Sequence, residues 1–319
     1  MFITEAGITK PSYRIGIDIG GTSVKCGLLD FDNNIVAQKA VPTNSPRPWQ
    51  DLLKDIGNCV REMLAEKGLT LADCEKVGVG CPGTVDGERG FVPYSNNLVW
   101  KDVPVADALK EDLGLDVKVS NDANCAALGE VVAGAAKGCA NAVMLTLGTG
   151  VGSGIVINGK IFEGGYAGGA ELGHIMLEKD GLLCSCGRKG CIEAYASATA
   201  LERDAKEAIT IFKDSLMAKT DNLESKVVFD AVREGDFAAI GIVYNYILAL
   251  GEGLADIINI FRPEKIIIGG GISRANDLIL EPLSEVAKKN CFGGNESFTP
   301  VFVTATLGND AGIIGAGNL

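Results

Sequence analysis

One histidine and three cysteines cluster in a single short segment: His174, then Cys184, Cys186 and Cys191. They sit in Glu171-Leu172-Gly173-His174 and in Cys184-Ser185-Cys186-Gly187-Arg188-Lys189-Gly190-Cys191-Ile192-Glu193. A Cys3His set has the ligand types of structural zinc, and four protein ligands close the tetrahedron against water. A metal held there is expected to shape a site and not to perform chemistry. His174 is the only histidine of the chain, so any mechanism that needs two is excluded. The other seven cysteines, Cys26, Cys59, Cys74, Cys81, Cys125, Cys139 and Cys291, are scattered, several inside apolar patterns. They are expected to be reduced, buried small hydrophobes.

Three further motifs carry polar chemistry. Asn121-Asp122 lies between an apolar strand and an alanine-rich helix. Asp122 there suits a helix N-cap, and it equally suits a general base, because the helix dipole favours its ionised form. One residue can do both. Asp18-Ile19-Gly20-Gly21-Thr22 and Gly148-Thr149-Gly150-Val151-Gly152-Ser153-Gly154 are glycine turns between strands. Glycine lets backbone amides approach an anion closely, so each turn is a candidate phosphate cradle, with Asp18 placed to hold magnesium through waters. The chain has neither Gly-x4-Gly-Lys-Ser/Thr nor Gly-x-Gly-x-x-Gly, which removes Walker-type NTPases and Rossmann dehydrogenases. Asn96-Asn97-Leu98-Val99-Trp100 offers amides and a ring face suited to a polyol.

These motifs need elements to hold them. Tyr13 to Asp30 reads as strand, glycine turn, strand, and Ile35 to Val41 as a third strand. Trp49 to Leu64 has helical spacing and Gly68 ends it; Pro104 opens a second helix. Short strands are expected at Val77 to Cys81 and Val117 to Ser120, and a helix over Ala123 to Ala136. Ala142 to Asn158 repeats strand, glycine turn, strand, about 130 residues after the first. Helical patterns cover Ala194 to Ile209 and Phe237 to Phe261, Ile266 to Ile268 is a strand opening onto Gly269-Gly270-Gly271, and Ala311 to Gly317 is a short closing helix. Strands that meander and then alternate with helices describe an α/β structure. The repeat predicts two domains: residues 1–120, joined by the C-terminal helix 305–319, and residues 121–304.

With 29 basic and 41 acidic side chains the net charge is −12, which argues against nucleic acid and anionic membrane as partners. The N-terminal stretch lacks the basic and apolar regions of a signal peptide. The charge-free stretch from Phe237 to Gly251 falls short of a membrane span, and a charge-free run over Gly138 to Gly159 is broken by glycines. A soluble, cytoplasmic protein is expected. A homodimer is only the base-rate expectation for such enzymes.

Taken together, these residues resemble the ROK family of sugar kinases and sugar-responsive repressors. The similarity runs through Asp18 to Thr22, Gly80-Cys81-Pro82-Gly83, Asn121-Asp122, Leu147 to Gly154 and the Glu171 to Glu193 block, and so spans nearly the whole chain. The resemblance is strongest to the ATP-dependent glucose kinases of bacteria. It implies two RNase H-like domains of the actin-like ATPase and hexokinase superfamily flanking an active-site cleft, with Mg2+ and ATP as partners of the reaction. It implies that Asp122 takes the proton of the sugar 6-hydroxyl, and that Asn97, Asn121, Asp122, Glu171, His174 and Glu193 bind the sugar. It assigns phosphate contacts to Gly20, Gly21, Thr22, Thr149 and Gly150, and adenosine contacts to Gly269, Gly270 and Gly271. The same block is also similar to that of N-acetylmannosamine kinases, so an N-acetylhexosamine is the alternative substrate. Repressors of the family carry roughly 60–80 residues of helix-turn-helix ahead of the first glycine turn. The stretch ahead of Asp18 is far shorter than that, so the enzyme is expected.

Overall fold

The computed structural model describes residues 12–166, 168–220, 222–294 and 299–319. The first sheet is built from β1 (Tyr13–Ile19), β2 (Ser23–Leu29), β3 (Ile35–Pro42), β4 (Cys74–Cys81) and β8 (Asp116–Asn121), in the order β3-β2-β1-β4-β8. β1, β2 and β3 form an antiparallel meander, and β4 and β8 add in parallel. Ile15, Ile17 and Ile19 of β1 are buried on one face of the strand, and Gly16 on the other face lies against Ile313, so this central strand is covered on both sides. One cover is α1 (Trp49–Glu66), whose Leu52, Leu53, Ile56, Val60, Met63 and Leu64 face the sheet at helical spacing. α2 (Val105–Leu113) joins the same core, with Pro104 as its N-cap and Gly114 ending it in the left-handed conformation.

The closing helix α9 (Ala311–Ala316) packs against β1, β4 and α3 (Asp122–Val132). Its approach depends on glycine. A Cβ at Gly16 would lie 2.0 Å from the Ile313 carbonyl oxygen, and one at Gly78 would lie 1.7 Å from that of Ala316. α3 is shorter than the alanine-rich sequence predicts, for a reason that lies in a buried charge. Glu130 is 0% exposed. Its carboxylate accepts the Ala135 N–H at 2.7 Å, the Thr306 N–H at 2.9 Å, the Leu307 N–H at 2.8 Å and the Thr306 hydroxyl at 3.2 Å. Four donors satisfy the buried carboxylate, stop the helix and fix the turn that leads into α9.

A second sheet has the order β11-β10-β9-β12-β13, from β9 (Ala142–Leu147), β10 (Val151–Ile157), β11 (Lys160–Ile161), β12 (Lys265–Gly269) and β13 (Val301–Thr304). β10 and β11 are antiparallel, and β12 runs parallel to both β9 and β13. The strand plan of the first sheet thus recurs, as the repeated glycine turn predicts. A small sheet of β5 (Thr84–Asp86), β6 (Phe91–Ser95) and β7 (Trp100–Val103) has no counterpart in the sequence reading. The expected Ala194 to Ile209 helix is two helices, α4 (Glu193–Ala196) and α5 (Ala198–Ile211), parted at Ser197. Ser197 is extended and its hydroxyl accepts the Ala200 N–H, which makes it the N-cap of a new helix. α6 (Ser225–Arg233) and α8 (Asn276–Asn290) flank α7 (Phe237–Phe261). α7 is long and apolar enough to cross a membrane, yet Ile242, Val243, Tyr246, Leu250 and Leu254 are buried among α5, α6 and α8, as in a core helix.

Contacts group the chain into two compact units. Unit 1 takes the chain up to Ala140 with Gly154–Ala170 and Thr306–Leu319; unit 2 takes Asn141–Ser153 and Glu171–Ala305. The sequence puts the first division at Ser120, whereas α3 stays in unit 1 because it packs on α9 and β4.

Candidate functional site

In unit 1 the polar residues gather at the ends of β1, β4 and β8. Register sets Asp18 beside Gly80, and Gly80 beside Ser120, so the pleat brings the β1 carboxylate to the level at which α3 begins. Asn121, not Asp122, is the N-cap: its side-chain oxygen accepts the Ala123 N–H at 2.9 Å and the Asn124 N–H at 3.3 Å. Its amide donates to the Gly83 carbonyl at 3.1 Å. Asp122 is the first helical residue, with one carboxylate oxygen 2.9 Å from the Ala123 N–H. The amide caps because its β-region backbone turns the side chain back over the first turn. Burial raises the Asp122 carboxyl above the usual value, against the lowering by the Ala123 N–H. Asp18 is raised too, by burial first and by the Asp122 charge second, with Lys25 opposing. Asp18 at the end of β1 and Asp122 at the start of α3 are half-buried carboxylates whose charges influence each other, and carboxylate oxygens are the donor type a magnesium ion takes.

The β1–β2 turn is closed by the Gly20 N–H on the Ser23 carbonyl at 3.0 Å. Buried Thr43 holds it from below, its hydroxyl on the Gly20 carbonyl at 2.7 Å and its N–H on the Thr22 carbonyl at 2.9 Å. Gly21 and Thr22 are exposed, and a Cβ on Gly21 would meet nothing within 4 Å. Asn97 is exposed in the turn between β6 and β7, with its carbonyl accepting the Ser45 hydroxyl at 3.0 Å.

In unit 2 the Cys3His residues converge. The ligand atoms of His174, Cys184, Cys186 and Cys191 all lie within 4.8 Å of one another. The edges of a tetrahedron built on zinc bond lengths are about 3.8 Å for S–S and about 3.6 Å for S–N. Cys186 Sγ lies 3.7 Å from Cys191 Sγ, and His174 Nδ1 lies 3.6 Å from Cys184 Sγ. Donor types and spacing both fit one tetrahedral zinc. Nδ1 faces the thiols, so Nε2 is the ring nitrogen left for another partner.

Glu193 starts α4 directly after this cluster. One carboxylate oxygen accepts the Val151 N–H at 3.0 Å and the other the Ser185 hydroxyl at 2.6 Å. Burial would raise its carboxyl, but the Ser185 and Val151 hydrogen bonds outweigh burial and hold it low. Glu171 is exposed and precedes the short turn Leu172–His174, with the Leu172 N–H on the Ser153 hydroxyl at 3.0 Å. The sequence reading missed Ser153 and Ser185; a hydroxyl beside a glycine turn and one between two cysteines were the signals available.

The β9–β10 turn is held by α5: the Ala198 N–H reaches the Gly148 carbonyl at 2.8 Å, and the Thr199 hydroxyl reaches that of Thr149 at 2.8 Å. Beside it, Gly270 has φ +80°, and a Cβ there would lie 2.4 Å from the Leu147 carbonyl oxygen, so glycine alone fits. Gly269 pairs with Thr146, and Gly271 opens onto a 350 Å³ cavity lined by Ala198, Glu202, Ser225, Phe229, Ile272 and Arg274, among others.

Two sheets of meander plus parallel strands, each with a glycine turn between its first two strands, define the α/β class of the actin-like ATPases and hexokinases. The ROK family profile matches residues 14–319, and the chain belongs to the ROK family. Its fold is the ROK sugar kinase fold. The chain is 39% identical over 314 residues to a glucokinase of Halalkalibacterium halodurans, covering 96% of this chain and 94% of that one. It is 39% identical over 315 residues to a glucokinase of Thermotoga maritima, covering 96% of each. A ROK family glucokinase from Streptomyces griseus, solved in complex with glucose and AMPPNP, superposes with TM-score 0.76 at 36% identity, covering 96% of this chain and 98% of that one.

Proposed function

We propose that the chain is an ATP-dependent hexose kinase that transfers the γ-phosphoryl group of ATP to O6 of D-glucose. The observation that carries this reading is the half-buried Asp122 carboxylate at the start of α3, in a chain of the ROK family with glucokinases among its relatives. Asp122 accepts the proton of the 6-hydroxyl as O6 bonds to the γ-phosphorus, and ADP departs with the electrons of the broken P–O bond. Phosphoryl transfer through a loose transition state asks mainly for positioning and for charge neutralisation. Positioning falls to Asn97, Asn121, Glu171, His174 and Glu193 on the sugar hydroxyls. Amides of Gly20, Gly21, Thr149 and Gly150, with the hydroxyl of Thr22, take the phosphates.

The adenosine lies along Gly269, Gly270 and Gly271, and the cavity beside Gly271 has room for a purine. Asp18 holds magnesium, which neutralises charge on the phosphates when bound. His174, Cys184, Cys186 and Cys191 hold one structural zinc, and His174 Nε2 serves the sugar. A closed metal site orders a loop whose side chains would otherwise lose much conformational entropy on binding. A cytoplasmic enzyme follows from this chemistry, since ATP and reduced thiols are found there.

An ADP-release assay across glucose, mannose, fructose, N-acetylglucosamine and N-acetylmannosamine tests the reading. Glucose is expected to give the highest kcat/KM. A preference for N-acetylmannosamine would move the chain to the alternative substrate, and no turnover with any hexose would remove the kinase reading.

A further inference from the structure

Glu163, two residues past the end of β11, is a half-buried carboxylate that the proposed chemistry leaves unused. It accepts the hydroxyl of Ser120, and Ser120 is the residue immediately before Asn121-Asp122. Ser120 is 2% exposed, so its hydroxyl needs a protein partner, and Glu163 is that partner. The bond falls where the fold is least supported. β8 is an edge strand of the first sheet, hydrogen-bonded to β4 alone, with Ser120 and Asn121 beside Gly80 and Cys81. No strand fixes its other edge. Gly87 leaves the room that Glu163 takes there: a Cβ on Gly87 would lie 2.6 Å from Glu163 Oε2 and 3.1 Å from the Val119 carbonyl oxygen. The Glu163 backbone is held as well, its carbonyl accepting the Gly169 N–H at 3.2 Å. Lys118 and Lys160 line the same 500 Å³ cavity as Glu163, yet the carboxylate bonds to the serine. The wholly buried Cys125 thiol of α3 is pushed up by burial first and then by the charges of Asp122, Asp18 and Glu163. Glu163 is thus within electrostatic reach of the same thiol as the two site carboxylates.

We infer that Glu163 is a positioning residue for the base: through the Ser120 hydroxyl it fixes the free side of the β8 end, and with it the Asp122 carboxylate. The inference rests on Asp122 being the base of the proposed reaction. Ser120, Asn121 and Asp122 are consecutive, so a strand end that turns carries the N-cap and the first helical residue with it. A base displaced by a fraction of an ångström loses its aim at the 6-hydroxyl, and rate falls more than affinity does. The role needs an acceptor oxygen at residue 163 and does not need its charge.

Steady-state kinetics and glucose calorimetry on Glu163→Ala, Ser120→Ala, the double variant and Glu163→Gln test this. Each single alanine variant should lower kcat by about 10–100-fold, with a smaller change in glucose affinity. The double variant should be no slower than the worse single one, because the two groups act as one unit. Glu163→Gln keeps an acceptor for the serine and should recover most of kcat. A contact that only supports the fold would instead lower Tm and leave the kcat of folded enzyme unchanged. Near-normal kcat in folded Ser120→Ala or Glu163→Ala overturns the inference. So do losses that multiply in the double variant, or a Glu163→Gln as slow as Glu163→Ala. Asp122→Asn measured beside them tells the failures apart. Near-normal turnover there removes the base and this inference with it, whereas its collapse beside a normal Glu163→Ala removes the inference alone.

Discussion

The β1–β2 turn and the β9–β10 turn occupy the same place in sheets of the same strand order, yet they are anchored in different ways. The first stands clear: Thr43 holds it from below, and space surrounds Gly21. Behind it are Asp18 and Asp122, two carboxylates that burial makes harder to ionise. The second is pressed against the loop that carries the Cys3His set. A Cβ on Gly150 would lie 2.4 Å from a Glu193 carboxylate oxygen, and that oxygen accepts the neighbouring Val151 N–H. Duplicated architecture has therefore been put to two uses. One turn adjoins the carboxylate proposed as the base, and the other is tied to the loop proposed to orient the sugar.

The sharpest way to break this contrast is at Asp122. Asp122→Asn should lower kcat by roughly 10²–10⁴, the usual worth of a general base. Its effect on folding should have the opposite sign. A carboxylate whose folded pKa is raised contributes stability that is present below the unfolded pKa and is lost as pH rises through the folded value. At neutral pH the charged form is therefore a cost, and the neutral amide should raise Tm by calorimetry while turnover collapses. Near-normal turnover in the folded variant would end the assignment.

Cys186→Ser comes next. Elemental analysis should find stoichiometric zinc in the wild type and little in the variant. Loss of the ligand should misplace Glu171, His174 and Glu193, raising KM for glucose and lowering kcat/KM by about 10–100-fold, as disturbed metal shells do. KM for ATP should change less.

A smaller effect separates the turns directly. Gly150→Ala must displace Glu193 and should raise the glucose KM severalfold, while Gly21→Ala, which meets nothing, should leave it near wild type. Equal effects on glucose KM would erase the difference between the turns. The mildest test is a pH profile. A base must be ionised to act, so kcat/KM should fall on acidification with a midpoint above 3.8, the ordinary value for an aspartate side chain. A midpoint at or below that value would contradict the burial of Asp122.

Much of this division could be read from the chain. The Cys3His cluster is visible because its four residues lie close together in sequence and are of the types zinc takes. The glycine turns are visible because each is flanked by alternating apolar residues. What stayed hidden depends on contacts from far along the chain. α3 stops early because Glu130 takes donors from Thr306 and Leu307, and no local pattern announces that. β5, β6 and β7 have 3, 5 and 4 residues, and strands so short exist only by pairing with one another. Ser197 could have been read as a cap, but the apolar spacing on either side disguises the break. Asn121 and Asp122 are both capping types, and only the backbone decides which one turns over the helix.

The division between chemistry and sugar recognition is tested most directly by calorimetric titration of glucose into Asp122→Asn and Cys186→Ser. The introduced amide keeps a hydrogen-bonding partner for the 6-hydroxyl, so Asp122→Asn should bind glucose within about tenfold of wild type while turning it over poorly. Cys186→Ser should lose at least about tenfold in affinity, because the sugar loop is no longer ordered beforehand. Wild-type glucose affinity in zinc-free Cys186→Ser would contradict the account, as would loss of binding confined to Asp122→Asn.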